Sequence, residues 1–199
     1  MVSIDYFFSV LSPFTYLAGS GLEQVAGRHD ARIHYRPMDI LQVFAETGGT
    51  PPAKRHWSRR EYRLQELRRI SATRRLPLNE SPAHFPTNQL PASAAIIAAQ
   101  EAGLPVGPLA HAFLRAVWAE ERDIGQPATV NEILAECEID VDGIGPHLSA
   151  AEDIYAANTR AAVEGGVFGS PFYVVGEERF WGQDRLPQLD SYLASVGRS

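Results

Sequence analysis

Two short stretches put hydroxyl groups where a helix or strand begins, and these are the first places in the chain that offer chemistry. In YFFSVLSPFTYLA (residues 6–18) an apolar run gives way to Ser12 followed by Pro13. Serine before proline is an N-cap with proline in the first helical position, so Ser12 stands where backbone N–H groups favour an anion. A hydroxyl there either caps the helix, a role worth about 1 kcal/mol, or also donates to a bound thiolate and lowers that thiol's pKa, as helix ends do for cysteine. In GVFGSPFYVV (residues 166–175), Pro171 precedes a strand-like run, where it removes a ladder donor. This is either an ordinary edge turn or a cis-proline that leaves the backbone of Ser170 to pair with an extended, peptide-like ligand.

Two further segments carry polar groups in turns. FWGQDRL (residues 180–186) sets Gln183 and Asp184 at the start of a closing helix. Asp184 reads as an N-cap or as a carboxylate for an α-amino group, and Arg185 as a partner for a carboxylate or a solvated cation. PAHFPTNQLPA (residues 82–92) precedes an alanine-rich helix that Thr87 or Asn88 would cap. The basic stretch KRHWSRREYRLQELRR (residues 54–69) reads as a solvated helix face, the alternative being that one or two of its cations reach an anionic small molecule.

Several chemistries find no support. Cys137 is the one cysteine, so no CxxC pair and no intrachain disulfide can form. The histidines at 29, 34, 56, 84, 111 and 147 lack metal-ligand spacing, and no Walker or GxGxxG loop is present. A net charge of −6 argues against a nucleic-acid partner. No apolar run approaches the ~20 residues that span a bilayer, and MVSIDYFF lacks the pattern of a signal peptide. The expectation is a cytoplasmic protein with no membrane partner.

The elements that must position these residues follow from periodicity. SIDYFFSV (residues 3–10) is a buried strand, residues 13–28 a helix, and residues 31–38 a second strand, closed by Pro37. Strand, helix, strand at this spacing is a βαβ unit with a parallel pair. Helices are expected over 57–75, 91–103, 107–122, 129–137 and 149–165, with prolines between them. SPFYVVGEERFWG (residues 170–182) reads as a hairpin, followed by a last helix. The order β-α-β, helical block, β-β-α describes an α/β, thioredoxin-like fold split by a large all-helical insertion. On this reading residues 1–38 and 166–199 form the thioredoxin-like domain and 39–165 the inserted one.

Taken together, YFFSVLSPFTYLA, YRPMDI, HFPTNQL, GVFGSPFYVV and FWGQDRL resemble the 2-hydroxychromene-2-carboxylate isomerases, which belong with the kappa-class glutathione transferases and DsbA-like proteins. The resemblance runs from about residue 3 to residue 195. It implies a glutathione-dependent cis–trans isomerase of aromatic-compound degradation, working by reversible addition of the glutathione thiolate. Ser12 matches the thiol-activating serine. Ser170, Pro171, Gln183, Asp184 and Lys54 match glutathione-binding positions, while Pro13, Phe85, Pro86 and Asn88 match the substrate side. Glutathione as cofactor, an aromatic acid as substrate and a homodimer are what the resemblance implies. The chain departs from the family at ETGGTPP (residues 46–52), where Gly49 and Thr50 replace the pattern ATGNxPP. Two other readings stand beside it: a kappa-like transferase that conjugates electrophiles, and a thioredoxin-like binding module without redox activity.

Overall fold

The computed structural model describes residues 1–197. Strand β1 (Ser3–Phe8) pairs in parallel with β2 (Arg32–Pro37), Tyr6 lying beside Tyr35. On its other side β1 meets β3 (Phe172–Val175) antiparallel, and β3 forms the expected hairpin with β4 (Glu178–Trp181). The sheet order is β2-β1-β3-β4. Alternation along β1 divides its side chains between two cores. Ile4, Tyr6 and Phe8 enter the main cluster, while Phe7 joins Met38, Val43 and Phe172 on the opposite face. Where both faces are covered, from Tyr6 to Phe8, the strand is a continuous apolar run, while toward its start Ser3 lies exposed and Asp5 half-buried.

The helices begin and end where capping chemistry allows. The expected helix over 13–28 is two, α1 (Pro13–Ala18) and α2 (Gly21–Arg28), because Gly19 takes φ +56°, outside right-handed helical space. Helix α3 (Ile40–Thr47) was not foreseen. The Asp39 carboxylate caps it by accepting from the N–H groups of Leu41 and Gln42, and Gly48 ends it at φ +79°. A short 3-10 turn (Pro52–Lys54) leads into α4 (Trp57–Arg74).

Then come α5 (Leu90–Glu101), α6 (Val106–Trp118), α7 (Pro127–Glu136) and α8 (Val141–Glu164). Helix α8 starts before the expected residue 149. Asp140 caps its N-terminus, and Pro146 sits in the second turn without ending it. Helix α9 (Leu186–Val196) follows β4.

Residues of the helical block and of the sheet share one buried cluster, which includes Ile4, Tyr6, Ile96, Phe113, Trp118 and Leu189. Leu109, Phe113 and Val117 recur on one face of α6 and are buried, as their spacing predicts. Among the described residues no helix is long and apolar enough to cross a membrane. Phe113 is fully buried, so Phe113→Ala is expected to cost about 3–5 kcal/mol, read from the urea unfolding midpoint. A loss under 1 kcal/mol would mean that α6 does not anchor the core.

Candidate active site

The turn after β1 and the loop before β3 are joined by hydrogen bonds. The Ser9 N–H donates to the Ser170 hydroxyl at 3.0 Å, and the Ser170 and Thr15 hydroxyls lie 2.8 Å apart. Ser12 is the N-cap of α1: its oxygen accepts from the Thr15 N–H at 3.2 Å. Its own hydrogen goes to the Ser170 carbonyl, also at 3.2 Å. The sequence reading left the Ser170 backbone open to a ligand, whereas here its carbonyl already accepts from Ser12. Because α1 is only six residues long, the hydroxyl rather than the macrodipole dominates what this turn offers an anion.

The Ser170–Pro171 bond is cis, and so is Phe85–Pro86. The Pro171 carbonyl accepts from the Gly182 N–H at 2.9 Å, which ties the loop to the end of β4. Gly169 is required by close approach, since a Cβ there would lie 2.1 Å from the Trp181 indole nitrogen.

Ser12 opens on a cavity of about 710 Å³. Its walls are largely apolar: Phe14, Ile40, Leu41, Phe44, Phe85 and Phe168. A second chamber of about 600 Å³ adjoins it, lined by Tyr62, Gln183, Asp184 and Arg185. Phe14, Arg55, Arg59, Arg63, Ser170 and Trp181 line both, forming the wall where the chambers meet.

The candidate residues divide accordingly. Ser12, Pro13, Lys54, Phe85, Pro86 and Ser170 line the apolar chamber, and Gln183, Asp184 and again Ser170 the polar one. Pro171 lies one residue behind the wall. Asn88 lines neither chamber; its side-chain oxygen accepts from the Leu90 N–H at the start of α5. Thr87 turns its hydroxyl to Asp123. Asp184 does not cap α9, whose N-cap is Arg185; the two form an exposed ion pair at 2.9 Å.

Sequence reasoning missed the α3 wall, and for the basic stretch 54–69 it offered one or two cations reaching an anionic small molecule without saying which. Arg59 and Arg63 lie four residues apart on one face of α4, and Arg55 stands in extended backbone just before it; the i, i+4 pair was the available signal. Among the described residues none of the three forms an ion pair with a carboxylate. The Arg63 guanidinium lies 5.7 Å from the Phe14 ring centroid, and Arg55 lies 5.8 Å from that of Phe44 while donating to the Thr50 carbonyl at 2.7 Å. Burial pushes the Arg63 pKa down and the neighbouring Arg55 adds to this; burial and Arg59 do the same to Arg55. Partly desolvated cations that repel one another favour an anionic ligand.

Gly49 has a local explanation. A Cβ at that position would meet the Phe44 ring at 2.4 Å, so the asparagine of the related pattern has no room beside this phenylalanine. Among the described residues no group of three or more His, Cys, Asp or Glu could hold a metal ion. Cys137 is half-buried at the end of α7, where burial first and the Glu136 charge second push its thiol up.

The electrostatics yield a stability test. If Arg63 is positioned for a ligand rather than for the fold, Arg63→Met should leave the ligand-free urea midpoint unchanged or raised. A loss of more than about 1 kcal/mol would show that the guanidinium has a structural partner.

A family model described as DSBA-like thioredoxin domain matches residues 3–194. A 2-hydroxychromene-2-carboxylate isomerase of Sphingobium xenophagum is 31% identical, across 96% of this chain and 97% of its own. Glutathione S-transferase kappa 2 of Caenorhabditis elegans is 25% identical, across 96% and 91%. Among solved structures, that of a selenomethionine 2-hydroxychromene-2-carboxylate isomerase superposes with a TM-score of 0.75 at 27% identity, covering 98% of this chain and 96% of the other.

Proposed function

Since the chain belongs to the DSBA-like thioredoxin family and, within it, groups with the 2-hydroxychromene-2-carboxylate isomerases, we propose that it is a glutathione-dependent isomerase of an unsaturated aromatic acid. The observation that carries this reading is the junction of the two chambers. A backbone carbonyl (Ser170) and three arginines with no carboxylate partner among the described residues line both chambers, and a hydroxyl donor (Ser12) stands beside them on the larger one.

The residues present fit a small peptide thiol. The arginines suit its carboxylates, the Asp184 carboxylate its ammonium, and the Ser170 carbonyl an amide N–H. Bound there, glutathione would supply a thiolate for reversible addition to the substrate's double bond. The chain's own part is to bind, orient and donate. Ser12 has a single hydroxyl hydrogen, now on the Ser170 carbonyl. Turning it toward a thiolate gives up that hydrogen bond, and an amide N–H of the ligand can take the vacated acceptor. The apolar chamber, walled by Phe14, Phe44, Phe85 and Phe168, holds an aromatic body away from water.

Calorimetric titration with glutathione, with Ser12→Ala alongside, tests the reading. The wild-type protein is expected to bind glutathione and to isomerise 2-hydroxychromene-2-carboxylate, and Ser12→Ala to cut turnover by about 10²–10³. A donor to the thiolate lowers the bound thiol's pKa, so the ultraviolet thiolate signal should appear at lower pH in the wild type than in the variant. Full turnover in Ser12→Ala, or no glutathione binding by the wild type, would sink the proposal.

The kappa-like alternative draws support from the Caenorhabditis elegans relative and from the absence of the family asparagine at Gly49. It uses the same hydroxyl but consumes glutathione. Free thiol after many turnovers is therefore expected to stay constant for the isomerase and to fall one for one with product for the transferase.

A further inference from the structure

Ser9 is 1% exposed and lies between β1 and the turn that ends at Ser12, whose N–H donates to the Ser9 carbonyl at 3.0 Å. Its hydroxyl has two partners. The Leu11 N–H donates to the oxygen at 3.2 Å, and the oxygen lies 2.8 Å from the side-chain carbonyl of Gln89. An N–H can only give, so the Leu11 bond takes a lone pair and leaves the hydroxyl hydrogen to be placed. Gln89 Oε1 is the acceptor within reach. If the amide were turned round, its NH2 would face the Ser9 oxygen and a buried hydroxyl hydrogen would lose its partner, a penalty of about 1–3 kcal/mol. The buried serine thus fixes which way the glutamine points.

Gln89 is half-buried, serves as the N-cap residue of α5 and lines the apolar chamber together with Phe85 and Pro86. With its oxygen committed to Ser9, its two N–H donors have no partner among the described residues. A donor pair of fixed orientation beside Phe85 and Pro86 selects for a ligand with an oxygen acceptor at that point. We propose that Gln89 is a specificity-determining residue: its amide N–H groups donate to a carbonyl or phenolate oxygen of the aromatic ligand, and Ser9 is the positioning residue that orients them. This deepens the reading of the same site by naming a required substrate feature, an oxygen acceptor on the part of the molecule held in the apolar chamber.

The test uses two chromophoric probes of similar shape, 4-nitrophenolate and 4-nitrotoluene, titrated into the full chain without glutathione, so it does not depend on the isomerase reading. Wild-type protein is expected to prefer the phenolate. Gln89→Leu should lower that preference about tenfold, the scale of one hydrogen bond to a charged group, with nitrotoluene affinity unchanged. Gln89→Glu keeps an acceptor for the Ser9 hydroxyl but sets a negative oxygen against the ligand, and it should reduce phenolate binding further. The pKa of bound 4-nitrophenol should rise in both variants, a readout that a merely structural role would not move.

Equal preference in wild type and Gln89→Leu would overturn the proposal, as would parallel loss of both probes or an unchanged bound pKa. Should the wild type fail to bind glutathione yet show the Gln89-dependent preference, the cofactor reading falls and this one stands.

Discussion

The hydrogen bond from the Ser9 N–H to the Ser170 hydroxyl joins residues 161 positions apart, and the cleft depends on it. It is reinforced by the contact between the Ser170 and Thr15 hydroxyls and by the bond from Ser12 to the Ser170 carbonyl. The partners come from the end of β1, the first turn of α1 and the loop before β3. Pairing of β1 with β3 brings these strands together, and the side-chain bonds then set the distance between turn and loop. A turn and loop left to their own flexibility would not hold a hydroxyl donor and a backbone acceptor in one wall, which is what preorganised recognition needs. The same constraint reaches the far side of the cavity through Ser9 and Gln89, so that α5 is registered against the turn by a buried polar contact.

The outline of the fold was legible in the sequence because it is written in short-range patterns. β1 turns Ile4, Tyr6 and Phe8 to one face and Phe7 to the other, α6 carries Leu109, Phe113 and Val117 at helical spacing, and the hairpin turns at Gly176-Glu177, within the Gly-Glu-Glu signal. What stayed hidden depended on single backbone choices or on long-range packing. The break between α1 and α2 rests on one glycine at positive φ in an otherwise helix-compatible run. The start of α8 was hidden by Pro146, a residue that usually marks a boundary because it removes a helix hydrogen bond, yet here the helix capped by Asp140 runs through it. Helix α3 is only eight residues long, too short for periodicity to declare itself, and its cap at Asp39 was the one local sign.

The site was legible in its loops and hidden in its walls. Ser12, Ser170, Gln183 and Asp184 sit in turn signatures that can be quoted from the sequence, and they line two adjoining chambers. Arg55, Arg59 and Arg63 looked like one more charged helix face. Whether such a face meets water or a cleft is decided by what lies opposite, here Phe14 and Phe44 from distant segments. Gln89 was hidden for a related reason: its role comes from Ser9, which is remote in sequence and buried.

Charge and shape divide the work between the chambers. The chain as a whole is acidic, at −6, so its overall field does not draw anions in; at the junction three arginines that pair with no carboxylate among the described residues create a local exception. Cations in that position suit the acid groups of a ligand in either chamber, while the phenylalanine walls beyond them provide no counter-charge and few polar partners. On the proposed function, the substrate carries its anionic groups at one end and an aromatic body at the other, with its reacting bond near the Ser12 hydroxyl between them. The proposed donation from the Gln89 amide adds one fixed point beside Phe85 and Pro86, so that an aromatic body would be held in one orientation rather than merely enclosed.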